Sequence, residues 1–183
     1  LTYAQVGFRN FTNSARVIRN PADLKGLKFR VMENPVYMNL VRSMGAAPTP
    51  IPLPETYTAL QQKVVDGQEN PISAIKFAKL YEVQKYMTMD GHTFGVSFML
   101  INEKFFQSLP KEYQTIVKRA ALTSAVSENG IDNLDSAIGV QFLKDKGMEI
   151  YSPTAAEKAQ FRTAAQPPVI AYLEQQIGRT WID

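Results

Sequence analysis

Cysteine is absent from the 183 residues, so disulfides, thiolate metal sites and thiol nucleophiles are excluded, although no compartment is selected. Histidine occurs once, at His92, which leaves a hydrolase triad without a choice of base. No G-x-S-x-G, P-loop, dinucleotide fingerprint or H-E-x-x-H is present, and nothing supports catalysis. An oxygen-rich calcium loop is missing too, so no metal and no cofactor is expected. No apolar run approaches the length of a membrane span. The formal charge of +3 is small and its cations are scattered among acidic neighbours. A nucleic-acid partner would want a basic stripe with interleaved aromatics, and none is seen. The chain opens on Leu1-Thr2-Tyr3-Ala4, with neither a basic n-region nor an apolar h-region. An export signal is therefore expected to have been removed, or the chain to be a piece of something longer.

What is present reads as α/β throughout, without an internal repeat. Residues 1–9 are strand-like and Asn10 to Ser14 form a polar loop. Asn20-Pro21 opens a short helical turn ended by Gly26. Leu27 to Val31 alternates, with Leu27, Phe29 and Val31 on one face and Lys28 and Arg30 on the other. Asn34-Pro35 starts a helix closed by Gly45, and the proline-rich stretch 47–54 reads as an edge strand or connector. The next helix carries Tyr57, Leu60 and Val64 and stops at Gly67 in a left-handed conformation. Gln68, Glu69 and Asn70 then form a polar knot, with Asn70-Pro71 as the cap and first turn of a helix running to about Val83. Strands are expected at 86–89 and 93–101, around an Asp90-Gly91 turn.

From Pro110 to Lys146 apolar residues recur at helical spacing, a rod of roughly 50 Å with bends expected at Gly130 and Gly139. Such a length suggests an element lying across two lobes. A short strand at 148–151, a capping box at Thr154–Glu157, an interruption at Pro167-Pro168 and a last helix ending at Gly178 complete the chain.

Few residues stand out chemically. Arg30 lies near the C-terminal end of a strand, where open α/β sheets bind ligands, and its guanidinium matches a carboxylate bidentately. Read alone, it is an outward-facing solvated strand residue before it is an anchor. Asn70 read alone is a helix cap. His92, after a turn and before a strand, is a site residue or a structural hydrogen-bonder. The pairs Asp66/Glu69 and Asp132/Asp135 read as solvated or capping carboxylates.

The stretches Gly7-Phe8-Arg9, Asp23 to Val31, Met44 to Pro50, Glu55 to Gln62, Val65 to Pro71, Tyr81 to Tyr86 and His92, taken in order, resemble one family. It comprises the substrate-binding proteins of tripartite ATP-independent periplasmic (TRAP) transporters, of the DctP type. The resemblance implies a periplasmic two-lobed α/β protein that closes on a small organic acid and hands it to a membrane permease, without being an enzyme. It makes Arg30 the carboxylate anchor, moves Asn70 into the cleft and adds Arg9 as a second candidate. Glu33 and His92 join the site set, and Leu53 falls where members often carry an aromatic pocket residue. It further implies that the first part of one lobe is missing. Residues 1–7 become a hinge strand, 8–95 the carboxylate-binding lobe, 96–135 part of the other lobe, and 136–183 the end of the long helix and its return. The stretch 96–135 would then expose apolar surface or recruit a second copy. An α/β enzyme or ligand-sensing domain with the same basic pocket is the alternative.

Overall fold

A computed structural model describes residues 1–182. Its centre is a six-stranded sheet in the order β3-β2-β4-β1-β5-β6, built from β1 (Thr2–Asn13), β2 (Lys28–Val31), β3 (Ala47–Pro50), β4 (Gly67–Asn70), β5 (Tyr86–Met99) and β6 (Glu149–Tyr151). β2 runs parallel to β3 and β4, whereas β1 is antiparallel to both β4 and β5. Helices α1 (Pro35–Ser43), α2 (Leu53–Gln61), α3 (Ile72–Phe77), α4 (Glu103–Ser108), α5 (Lys111–Asp145) and α6 (Ala155–Ile177) complete the fold. Two apolar clusters back the sheet. Phe11, Phe29 and Val31 pack with Leu40, Val41 and Phe161 of α1 and α6. Met87, Leu60, Ile75 and Leu143 form the second cluster, with α2, α3 and α5.

The local signals act as physical chemistry requires. Asn20 accepts from the Ala22 N–H and Asn34 from the Val36 N–H, each ahead of a proline whose missing N–H costs nothing there. Thr154 and Glu157 close a reciprocal capping box on α6. β3, with two prolines, lies at the sheet edge, where absent donors are tolerated.

Several expectations fail. Residues 10–13 are not a loop but the buried second half of β1, paired to both β4 and β5. α2 ends at Gln61, and a left-handed residue two positions on is Lys63, at φ 58°. Gly67 instead begins β4. A Cβ there would stand 2.3 Å from the Thr12 carbonyl oxygen, so glycine is required by the closeness of β1 rather than by a helix stop. Asn70 caps nothing: α3 starts from Pro71 without a side-chain cap. Asp90 and Gly91 are not a turn between strands but lie inside β5, close to where its register with β1 shifts between Arg9 and Phe11. Pro167 and Pro168 do not interrupt α6. Each proline removes one N–H donor from the helix, and buried Phe161 and Ala165 in the turns just before them anchor it to the first cluster. α4, capped by Asn102, was not anticipated.

The long helix forms as one element of 35 residues, continuous through both glycines. Its buried stripe uses small and polar residues, Ala121, Ala125, Asp132 and Gly139 among them. Leu122, Val126, Ile131, Leu134 and Ile138 face outward. Beyond the short strands, the first half of β1 and the last half of β5 continue as a two-stranded ribbon that exposes Tyr3 and Phe98.

Candidate functional site

The C-terminal ends of β2 and β4 meet the middle of β1 and β5 at one edge of the sheet, and there the polar residues gather. Phe29 and Val31 belong to the α1/α6 cluster, so alternation turns Arg30 to the opposite face. Arg30 pairs in register with Thr49 on one side and Gln68 on the other. It is 2% exposed, not the solvated strand residue that alternation alone allows. Its Nε donates to the Ile51 carbonyl at 2.7 Å, while Nη1 is buried with no hydrogen-bond partner. Among the described residues Arg30 forms no ion pair. Burial lowers its pKa, Glu69 opposes that, and the neighbouring Arg9 adds to it.

Arg9 differs in kind. It lies across the end of β4 and bonds side chains that alternation sends to opposite faces. Its Nε and Nη2 reach the Glu69 carboxylate at 2.5 and 2.9 Å, and Nη2 also donates to Asn70 Oδ1 at 3.0 Å. Tyr37 of α1 lies under the guanidinium, 5.2 Å from ring centre to Cζ. Glu69 is fully buried, which corrects its reading as a solvated carboxylate. Burial works against its charge, yet hydrogen bonds from His92 and Arg9 prevail and lower its pKa. Asp132 is likewise buried, and Asp135 pairs with Lys76; Asp66 is half-buried and caps no helix, accepting instead from the Lys28 N–H at the start of β2.

His92 is held between two carboxylates, with Nδ1 2.7 Å from Asp90 Oδ2 and Nε2 3.2 Å from Glu69 Oε2. Its ring stacks on Phe11 at 4.3 Å. Two acceptors require both ring nitrogens to carry protons, so His92 is an imidazolium. Burial opposes that charge, but Asp90 and Glu69 raise the pKa to about 9.

Asn70 donates to Gln68 Oε1, Gln68 to the Thr12 hydroxyl at 2.8 Å, and Thr12 to Gln84 Oε1 at 2.9 Å. This relay runs through the sheet and orients the amides of Asn70, Gln68 and Gln84. The structure thus brings Arg30, Asn70, Arg9 and His92 to one strand edge. Leu53 opens α2 two residues after Ile51, partly exposed beside Arg30's acceptor. Glu33 is exposed, its side chain makes no hydrogen bond among the described residues, and it acts on Arg30 through its field. Sequence reasoning missed Asp90, Gln68, Thr12 and Tyr37. The one available signal was the run of three hydrogen-bonding side chains from Gln68 to Asn70. Two half-open cavities of about 350 and 480 Å³ share Asp90, Gly91 and Lys158, and Arg30 lines neither.

A buried guanidinium at the carboxyl ends of parallel strands, set in a hydrogen-bonded frame, has the charge and shape to receive an anion. Comparison with known proteins makes the class specific. The family model described as bacterial extracellular solute-binding protein, family 7 (DctP) matches residues 1–176, and the chain belongs to that family. A solute-binding protein of Verminephrobacter eiseniae is 41% identical over all 183 residues, which span 54% of it. The sialic acid-binding periplasmic protein of Vibrio cholerae is 35% identical over 85% of this chain and 48% of its own length. A crystal structure of a TRAP periplasmic solute-binding protein from Polaromonas, bound to D-erythronate, superposes at a TM-score of 0.92 with 35% identity, over 99% of this chain and 59% of that one. The chain therefore spans about half the length of the curated relatives it matches. These relatives are binding proteins, not enzymes.

Proposed function

We propose that this chain carries the carboxylate-anchoring part of an extracytoplasmic solute-binding protein, which captures a small organic acid in the periplasm and delivers it to the permease of a TRAP transporter. The observation that carries the reading is Arg30, a buried cation with one guanidinium nitrogen unsatisfied among the described residues. An unpaired buried charge is costly, and an anion arriving with two acceptor oxygens removes that cost. Arg9 is the weaker candidate, because Glu69 already neutralises it. Asn70 sets the acid's neutral side, with Leu53 as an aliphatic floor; His92 and Glu33 act on the site from its border. The relatives' names fit, since one binds sialic acid and another holds erythronate, both organic acids.

In this reading residues 8–95 form the carboxylate-binding lobe, 1–7 a hinge strand and 96–135 part of a second lobe, and 136–183 return along α5. The outward Leu122, Val126 and Leu134 then face the remainder of that second lobe or another copy. Native mass spectrometry of the intact protein tests the function. One acid bound per chain, released chemically unchanged after long incubation, is expected. Conversion of the acid, or no mass increment and no melting shift with any carboxylate, contradicts it.

A further inference from the structure

Beside the site, β5 does not follow β1 step for step. Arg9 pairs with Thr93 and Phe11 with Thr88, so β1 advances two residues where β5 advances five. The surplus is the excursion Met89-Asp90-Gly91-His92, which leaves the ladder as a bulge does. Two bonds pin it to β1. The Gly91 N–H donates to Asn10 Oδ1 at 3.2 Å, and the Phe11 N–H donates to Asp90 Oδ1 at 3.3 Å.

This excursion sets Asp90 behind His92. Asp90 uses both oxygens, Oδ1 on Phe11 and Oδ2 on His92 Nδ1 at 2.7 Å, and His92 turns its other nitrogen to Glu69. Glu69 holds Arg9, and Arg9 Nη2 holds Asn70 Oδ1 at 3.0 Å. Asp90 itself bonds to none of Arg9, Asn70 and Arg30, so its influence on them passes through His92. Side-chain exposure is 0% for Asp90 and Glu69, 3% for His92 and 7% for Arg9, so the relay is complete within this chain.

A neutral imidazole has one N–H and can donate to Asp90 or to Glu69, but not to both. Burial opposes a second proton on His92, and the Asp90 carboxylate overrides it. Without Asp90 the ring turns neutral, and Glu69 loses a charged donor. No other charge takes that place among the described residues. Lys158 and Arg162 of α6 line the cavity beside His92 without bonding to it, and α1 adds apolar Val36, Leu40 and Met44.

We propose that Asp90 is a positioning residue for acid binding: it keeps His92 a donor on both ring nitrogens and so holds Glu69, Arg9 and Asn70 in the arrangement that receives the acid. The inference rests on the function proposed above and adds a residue to it.

The test is calorimetry on the intact protein with erythronate, pyruvate and succinate as probes, at pH 8 and pH 5. The parent, Asp90→Asn, His92→Gln and the double variant are compared, with melting checked first. Asparagine has one oxygen for two donors, so His92 gives up a proton at pH 8 in Asp90→Asn and regains it in acid. The expected result is a loss of roughly five-fold or more at pH 8 that shrinks to within about two-fold of the parent at pH 5. In His92→Gln the same substitution should change affinity by less than about two-fold, because its route is already cut. An equal loss at both pH values, a loss that adds in full to that of His92→Gln, or no loss overturns the positioning role and leaves acid binding standing. If Asp90→Asn does not fold, the ring nitrogen resonances of the parent decide, His92 being the signal missing from His92→Gln. An imidazolium at pH 7 whose deprotonation weakens binding supports the proposal; a neutral ring, or an affinity indifferent to its titration, overturns it. A parent that binds none of the three acids at either pH overturns the proposed function and this inference together.

Discussion

Glu69→Gln keeps the shape of a fully buried side chain and removes the one charge that Arg9 and His92 share. In the parent, Oε2 lies 2.5 Å from Arg9 Nε and 3.2 Å from His92 Nε2, and Oε1 lies 2.9 Å from Arg9 Nη2. A glutamine can retain one acceptor there, but must turn its NH₂ toward a guanidinium or an imidazolium. Breaking a buried ion pair by removing one partner costs on the order of 3–5 kcal/mol, because the surviving charge stays desolvated. We expect a loss in that range by urea denaturation at pH 7, with an unchanged slope. Arg9→Met alone should lose a similar amount, leaving Glu69 with His92 only. The double variant Arg9→Met/Glu69→Gln should lose less than the sum of the two, by about 2 kcal/mol or more, because neither partner is then stranded. A single-variant loss below ~1 kcal/mol, or strict additivity in the cycle, would refute the view that the two ions are desolvated and mutually dependent.

The pH dependence follows from His92. Its folded pKa of about 9 lies above the ordinary 6.5, so its contribution is complete below pH 6.5 and is lost as pH rises through about 9. Stability should fall over that window by about 3 kcal/mol, and His92→Gln should flatten the fall; a parent equally stable at pH 6.5 and 9.5 would contradict the imidazolium assignment. Gly67→Ala would place a Cβ 2.3 Å from the Thr12 carbonyl oxygen and 2.8 Å from Phe29, neither of which can swing away without moving the sheet. A loss of at least ~1–3 kcal/mol is expected from denaturation, and an alanine variant as stable as the parent would show that β1 and β4 part easily.

How far the sequence could be read depended on whether structure was declared by local chemistry or by distant partners. The caps at Asn20, Asn34 and Thr154 act within a few residues, and all three stand where their side chains and prolines place them. The alternation of β2 was legible for the same reason, and it gave Arg30's direction though not its burial. β4 was not legible. Gln68, Glu69 and Asn70 have no apolar alternation, because each is satisfied by a residue from another strand: Thr12, Arg9 or His92. The second half of β1 failed alike, since Thr12 and Asn13 look like loop residues until β4 and β5 flank them. In α5 the helical period was visible, but Ile131, Leu134 and Ile138 face outward while Asp132 is buried, so apolar periodicity named the helix and not its packed face. Resemblance to a family supplied Arg9 and His92 as neighbours of the cleft. Their ion pairs came only from the folded geometry.

The central claim is that Arg30, and not Arg9, receives the ligand's carboxylate. Calorimetric titration of the cognate acid into the intact protein, Arg30→Ala, Arg30→Lys and Asn70→Ala tests it most directly. Removing one partner of a buried, bidentate charge pair should weaken binding by a hundred-fold to a few thousand-fold, equivalent to about 3–5 kcal/mol. Lysine keeps the charge without the fork and should recover little of this, and Asn70→Ala should cost about 1–2 kcal/mol. Affinity of folded Arg30→Ala within about three-fold of the parent, under ~1 kcal/mol, would contradict the account and pass the anchoring role to Arg9.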